Sequence, residues 1–211
     1  MGVIPFLIGW PVLIAVIVPF LKSERVRSVL VYVGAGGVMA LSVALLAQWL
    51  VSGGEVMSFY RETELVDHLM LAGELVLMAL IVYLSVVHRK YPVILLSVAQ
   101  TAVLIWTETN FPVEPASHMK VDGLSMLMTV IAAFVGGLIC IYAVGYMKAY
   151  HHHHKEYKDR TGFFLSMLFL FLGAMFGLVL SGNLVWMYFF WEITSVVSFL
   201  LIGYTRTEEA V

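Results

Sequence analysis

The chain alternates between long apolar runs and short polar stretches, a pattern typical of helices that cross a membrane. A helix needs about 20 apolar residues to cross the hydrocarbon core of a bilayer. Seven runs approach that length, and they show none of the period-two alternation of a barrel strand. They cover roughly residues 4–21, 29–51, 68–87, 91–107, 124–147, 163–181 and 184–204. The pattern therefore predicts an all-α membrane protein, a multi-pass transmembrane helix bundle with about seven spans.

Composition also points to lipid as the solvent. Hydrophobic residues make up 61% of the chain and charged residues 12%, whereas a soluble domain is about half apolar and about a quarter charged. The single cysteine, Cys140, lies in an apolar run, so we expect a small buried side chain and no internal disulfide. No metal-ligand spacing, cofactor motif or nucleophile–base pair stands out, so we predict no cofactor, no metal and no catalytic residue. Nucleic-acid binding is disfavoured, because the basic residues flank predicted spans.

The positive charges predict an orientation. If the N-terminus lies outside, the inner loops hold ten of the 12 Lys and Arg residues, and the outer side holds only Arg61 and Lys120. This division follows the positive-inside rule. The first apolar run is followed rather than preceded by basic residues, which is the wrong order for a cleaved signal peptide. We therefore expect a multi-pass protein of the cell (inner or cytoplasmic) membrane with its C-terminus in the cytoplasm.

Glu192 lies well inside the last predicted span. Ionisable groups cost several kcal/mol in a bilayer, so such a residue suggests a functional site. Glu192 is nine residues after Asn183, which places it about 13 Å along the helix axis and near the midplane. Tyr188 and Ser195 share its helix face and are candidate hydrogen-bond partners. Desolvation raises the pKa of a carboxyl group and a nearby cation lowers it. A carboxyl group under both influences can load and release a proton. The alternative is a protonated Glu192 that only bonds a neighbouring helix.

Two further polar features have both a functional and a structural interpretation. Glu74 lies about two turns into its span, near the outer interface, and is either a proton-path residue or an interfacial contact, with Gln100 as a possible partner across the hairpin. The run His151–His154 can bind metal or buffer protons, but its basic neighbours favour a solvated cytoplasmic loop. Gly173 and Gly177 form a G-x-x-x-G, which permits close helix packing.

Three motifs in order carry a resemblance to a known family. They are Val121–Ser125 opening a span, the helix end at Leu180–Leu184, and the stretch Met187–Tyr204 with its Trp-Glu pair. Together they resemble the antiporter-like membrane subunits of the complex I family. These include subunit L of NADH-quinone oxidoreductase, the large membrane subunits of energy-converting hydrogenases and formate hydrogenlyases, and Mrp-type cation/proton antiporters.

The resemblance implies a function and a set of partners. In that family the glutamate of the Trp-Glu pair lies on a proton path and pairs with a lysine of a later helix, and Glu192 matches this glutamate. It implies an ion-translocating subunit, with the proton as the expected ion. Its partners are other membrane subunits of a redox-driven, complex I-like or hydrogenase-like assembly whose catalysis lies elsewhere. The alternative is a structural or assembly subunit without its own ion path.

The resemblance also suggests a domain organisation. Residues 121–211 correspond to the start of the antiporter-like domain, and residues 1–120 to leading transmembrane helices that include an extra hairpin at about 66–108. Family members continue with many more helices after the position of Val211. We therefore expect a truncated or split subunit, whose lysine partner for Glu192 lies on another segment.

Overall fold

The computed structural model describes residues 2–59, 64–87, 89, 91–110, 119–154 and 159–205. Its helices are α1 (Val3–Ile17), α2 (Glu24–Val51), α3 (Glu64–Val87), α4 (Tyr91–Asn110), α5 (Gly123–His153), α6 (Thr161–Leu180) and α7 (Leu184–Ile202). Short 3-10 turns at Val18–Phe20 and Gly203–Thr205 follow α1 and α7. Two three-residue strands, β1 (Met57–Phe59) and β2 (Met119–Val121), pair with each other. The predicted all-α multi-pass architecture is confirmed.

In the part of the chain that the structure describes, the length of the apolar stretch separates the seven helices into two groups. Within the described residues, α1 with its 3-10 turn, α2, α5, α6, and α7 with its turn are long and apolar enough to cross a membrane. The other two carry shorter apolar stretches, Ala72–Val87 in α3 and Tyr91–Val103 in α4.

The chain forms two compact units. One contains residues 1–58 and 119–211 and holds α1, α2, α5, α6 and α7, and the other contains residues 59–118 and holds the α3–α4 hairpin. Within the hairpin, the hydroxyl of Thr101 donates to the sulfur of Met78 at 2.6 Å. Arg89 closes the end of α3 in a left-handed conformation with φ 55°, and its N–H bonds to the Val86 carbonyl at 3.2 Å. The functional boundary expected at residue 121 stays a prediction.

Helix α6 is the centre of the larger unit and contacts α1, α5 and α7. The two glycines of its G-x-x-x-G motif lie against two different helices. A Cβ added at Gly173 would lie 2.8 Å from Cγ2 of Val12 in α1, and one added at Gly177 would overlap the ring of Phe190 in α7. The two glycines therefore allow α6 to approach a helix on each of two sides.

Helix α5 begins at a capping box. The carboxylate of Asp122 accepts the backbone N–H of Ser125 at 2.9 Å, and the Asp122 N–H donates to the Ser125 hydroxyl at 2.7 Å. The backbone hydrogen bond from Ser125 is the main reason that the pKa of Asp122 lies below its usual value. The helix then runs to His153, six residues beyond the predicted end at 147. The prediction was short because hydropathy marks the edge of the lipid rather than the end of a helix.

One face of α5 is buried along its whole length. Its buried residues are Ser125, Met126, Thr129, Ala133, Gly137, Cys140, Ala143 and Met147. From Met126 onward they recur every three or four positions, which is the spacing of one helix face. This face packs against α2 and α6. Cys140 is buried within it, as the sequence predicted.

Candidate functional site

Helix α7 carries the candidate site. The side chain of Asn183 caps its start by accepting the backbone N–H of Trp186 at 2.8 Å. The buried residues of the helix are Trp186, Phe190 and Val197. Because Phe190 lies against Gly177, this buried side of α7 is the side that packs on α6.

Glu192 lies on the other side of α7. Successive residues of an α-helix are turned by about 100°, so Tyr188, Glu192 and Ser195 project away from the side that holds Trp186 and Phe190. Glu192 is half-buried. It follows the first residue of α7 by eight positions and precedes the last by ten, or about 12 Å and about 15 Å along the axis. Its carboxyl group is therefore at mid-helix, on the side opposite the packing contact with α6.

The structure brings Tyr188 to Glu192. The phenolic hydroxyl of Tyr188 donates to Oε1 of Glu192 at 2.5 Å. Ser195 shares this face, but its hydroxyl donates to the carbonyl of Trp191 at 3.0 Å. A serine inside a helix readily bonds the carbonyl four residues earlier. The hydroxyl of Ser195, which was a candidate partner of Glu192, thus bonds the backbone of α7.

Glu74 and Gln100 belong to the hairpin unit. Glu74 is half-buried in α3 and Gln100 is exposed in α4. Their predicted pairing and the proton-path role of Glu74 stay predictions.

A second polar cluster, which we call the His151 cluster, consists of His151, Asp159 and Tyr204. Nε2 of His151 lies 2.8 Å from the hydroxyl of Tyr204 and 3.4 Å from Oδ1 of Asp159. The side chain of His151 is only 15% exposed. The cluster joins the last turn of α5, the residues that lead into α6, and the turn that follows α7.

Asp159 is held in this cluster by Thr161. Its Oδ1 accepts the backbone N–H of Thr161 at 2.8 Å and the Thr161 hydroxyl at 2.6 Å. Burial alone acts to raise the pKa of Asp159, but the two bonds from Thr161 and the charges of His151 and Arg27 together bring that pKa below its usual value. Asp159 is therefore a stable carboxylate at neutral pH.

The interpretation of His151–His154 as a solvated loop is wrong for His151. His151, His152 and His153 form the last turn of α5, and only the latter two are exposed. His154 caps the helix and lies beside the ring of Tyr150. Residues 155–158, which carry Lys155 and Lys158 of the same predicted loop, lie outside the described residues.

Comparison with known proteins finds a family that is similar to part of this chain. Residues 106–158 match the family described as NADH-Ubiquinone oxidoreductase (complex I), chain 5 N-terminus. The chain is 41% identical over 92 residues to the Na(+)/H(+) antiporter subunit A1 of Staphylococcus haemolyticus, strain JCSC1435. It is 39% identical over 92 residues to the protein of the same name in Staphylococcus aureus, strain Newman. The resemblance to the antiporter-like subunits of the complex I family is confirmed.

The similarity covers only a small part of these relatives. The aligned stretch covers 44% of the chain and only 10% of each of these relatives. The family match at residues 106–158 includes α5 with its capping box at Asp122, and Glu192 lies 34 positions beyond residue 158. A role for Glu192 therefore rests on the geometry of α7 and on its Trp-Glu motif.

Proposed function

We propose that this chain forms the N-terminal part of an ion-translocating, antiporter-like membrane subunit in which Glu192 loads and releases a proton. The observation that carries the proposal is the position of the Glu192 carboxyl group. It lies at mid-helix, half-buried and bonded to Tyr188, on the side of α7 opposite the α6 contact. The kinship with Na(+)/H(+) antiporter subunits supports ion translocation as the task of the whole subunit.

A carboxyl group at this depth is energetically costly when it faces lipid, so Glu192 must be shielded from the lipid. A charged side chain at the centre of a bilayer costs several kcal/mol or more when lipid surrounds it. The outward face of α7 is therefore expected to meet water or another membrane segment. A cation on that segment would stabilise the charged carboxylate, and water would carry the proton to and from it. Proton exchange then requires two states, one hydrated and one paired with the cation.

Two kinds of assembly fit this role. The description of the matched family names a redox enzyme, NADH-ubiquinone oxidoreductase, and the relatives named above are antiporter subunits. A redox-driven complex and a cation/proton antiporter both use other membrane subunits as partners. The proton is the ion that a single carboxyl group can bind and release. In the competing interpretation, the chain is a structural or assembly subunit and Glu192 is a packing residue.

Substitution of Glu192 in the full-length subunit within its assembled complex tests the proposal. Glu192→Gln keeps the shape and the hydrogen bonding of the side chain but removes its charge, so assembly should persist while proton translocation into inverted membrane vesicles is lost. Glu192→Asp shortens the reach by one methylene group and should have a milder effect. Normal translocation by Glu192→Gln, together with failed assembly of Glu192→Ala, would establish the packing role instead. Glu74→Gln in the same assay tests the secondary candidate.

We also propose an orientation with the N-terminus outside and α5 ending at the cytoplasm. The ten-to-two division of Lys and Arg supports it. If the α3–α4 hairpin does not span the membrane, every other segment keeps its side. The division then becomes eight to four, because Arg89 and Lys90 join Arg61 and Lys120 outside. Glu55 and His153 are exposed and follow α2 and end α5 respectively. With Cys140→Ala as background, Glu55→Cys should react with an impermeant reagent in intact cells and His153→Cys should not. The reverse result would invert the topology.

A further inference from the structure

The His151 cluster connects three helix ends through one imidazole ring. Tyr204 also accepts the backbone N–H of Arg160 at 3.3 Å, and its ring meets that of Phe164 edge-on with centroids 5.4 Å apart. Tyr204 is buried, although it lies in the turn where α7 ends. Contacts of Tyr204 therefore hold the end of the helix that carries Glu192 to α5 and α6.

The hydrogen bonds of this cluster depend on the proton at Nε2 of His151. A neutral ring that carries its proton on Nδ1 accepts from the Tyr204 hydroxyl at Nε2, and the carboxylate of Asp159 then faces a nitrogen lone pair. A neutral ring that carries its proton on Nε2 donates there without a net charge. When Nε2 takes up a proton from water, it becomes a donor toward Tyr204 and Asp159. The hydroxyl hydrogen of Tyr204 then points away from His151. A charged pair of His151 and Asp159 replaces the neutral hydrogen bond between His151 and Tyr204. Charge-assisted hydrogen bonds are roughly twice as strong as neutral ones.

The charged and titratable neighbours of His151 come from each element around it. Arg27 of α2 acts on Asp159, and Arg160 leads into α6. On α5 itself, the ring of Tyr150 lies edge-on to His151 at 5.5 Å and close to His154. Among the described residues, no group of three or more His, Cys, Asp or Glu side chains is placed to hold a metal ion. A histidine beside a carboxylate and a phenolic hydroxyl is suited to bind a proton.

We propose that the His151 cluster is a proton-binding site that tightens the attachment of the α7 end when His151 is protonated. The attachment of the segment that carries Glu192 then depends on the pH at the side of the membrane where α5 ends. Tyr204 follows Glu192 by 12 residues on the same helix and turn, which is about 18 Å of helix. The coupling to Glu192 rests on the proposed function, whereas proton binding by the cluster does not.

Hydrogen–deuterium exchange of the Gly203–Thr205 turn measures the attachment directly. The assembled protein is compared at about pH 8 and about pH 6, the range in which histidine changes its charge, with correction for the intrinsic pH dependence of exchange. We expect about fivefold greater protection at the lower pH, the factor gained when a charge-assisted bond replaces a neutral one. His151→Gln and Tyr204→Phe should remove this pH-dependent part. The rings that pack around Tyr204 should keep the Tyr204→Phe variant folded.

His153→Gln is the matched control, because His153 is an exposed histidine in the same helical turn. It should keep the wild-type response, and so should Glu192→Gln, since the cluster does not contain Glu192. Equal responses in wild type, His151→Gln and Tyr204→Phe would overturn the proton-binding site. For the coupling, His151→Gln should shift the pH profile of proton translocation relative to His153→Gln. Identical profiles would overturn the coupling, while loss of translocation in Glu192→Gln would still support the proposed function separately.

Discussion

The hydroxyl of Tyr188 donates a hydrogen bond to Oε1 of Glu192 at 2.5 Å, one helical turn away on α7. Both side chains are half-buried and lie on the side of α7 opposite Trp186 and Phe190. A donor at i−4 on the same helix moves with the carboxyl group, so the bond persists whichever segment covers this face. The pair therefore fixes the direction in which Glu192 points.

Removal of the Tyr188 hydroxyl should weaken ion translocation without affecting assembly. We expect Tyr188→Phe to lower the translocation rate by about tenfold, the factor typical of a lost hydrogen bond to a charged group. The same change in a Glu192→Asp background should have a smaller effect, because the shorter side chain has already moved away from the hydroxyl. The assay is proton translocation in inverted vesicles.

Tyr142→Phe is the control for that experiment, since Tyr142 is an exposed tyrosine on α5. It should behave as wild type. Equal rates for Tyr188→Phe and Tyr142→Phe would show that the Tyr188 hydroxyl does not contribute to the activity of Glu192.

Gly177→Ala should destabilise the packing of α7 on α6. The added methyl group would overlap the ring of Phe190, and overpacking of this kind costs about 1–3 kcal/mol. Gly145→Ala is the matched control, because nothing lies within 4 Å of a Cβ at Gly145. It should be neutral or gain up to about 1 kcal/mol of helix stability. Thermal unfolding in detergent measures both, and Phe190→Leu should partly rescue Gly177→Ala. Equal melting temperatures for the two alanine variants would contradict this packing.

Loss of the Asp122 cap should destabilise the start of α5. Asp122→Ala removes an N-cap acceptor, which costs about 1 kcal/mol. Because the folded pKa of Asp122 is lowered, its charge stabilises the fold above the unfolded pKa, and this contribution is lost as pH falls through the folded value. Asp122→Asn keeps an acceptor without the charge, so its stability difference from wild type should shrink in acid. A difference that stays constant down to about pH 3, below the usual aspartate value, would exclude this contribution.

Apolar run length was enough to predict the helices, and helical spacing was enough to place Tyr188 beside Glu192. Both follow from short-range rules, because lipid demands long apolar helices and residues four apart on a helix are neighbours. The same spacing rule made Ser195 a candidate donor to Glu192, but its hydroxyl donates to the Trp191 carbonyl. Spacing alone does not decide between a side-chain acceptor and a backbone acceptor.

The His151 cluster was missed because its members are far apart in the sequence and meet only at helix ends. One signal was available. The buried positions of α5 recur at three or four residues as far as Met147, and the next position in that series is His151. Extending the series past the apolar run would have placed His151 on the packed face and His153 away from it. The partners Asp159 and Tyr204 depend on how α6 and α7 end, which hydropathy does not specify.

Infrared difference spectroscopy of the assembled complex tests most directly whether Glu192 binds a proton. The carbonyl stretch of a protonated carboxylic acid is recorded as the pH is changed and again during turnover, with Glu192→Gln as the reference. A proton-loading Glu192 predicts a band that appears and disappears with pH and with turnover, shifts in Tyr188→Phe, and is absent in Glu192→Gln. A spectrum of Glu192→Gln that shows the same changing bands as wild type would contradict the account.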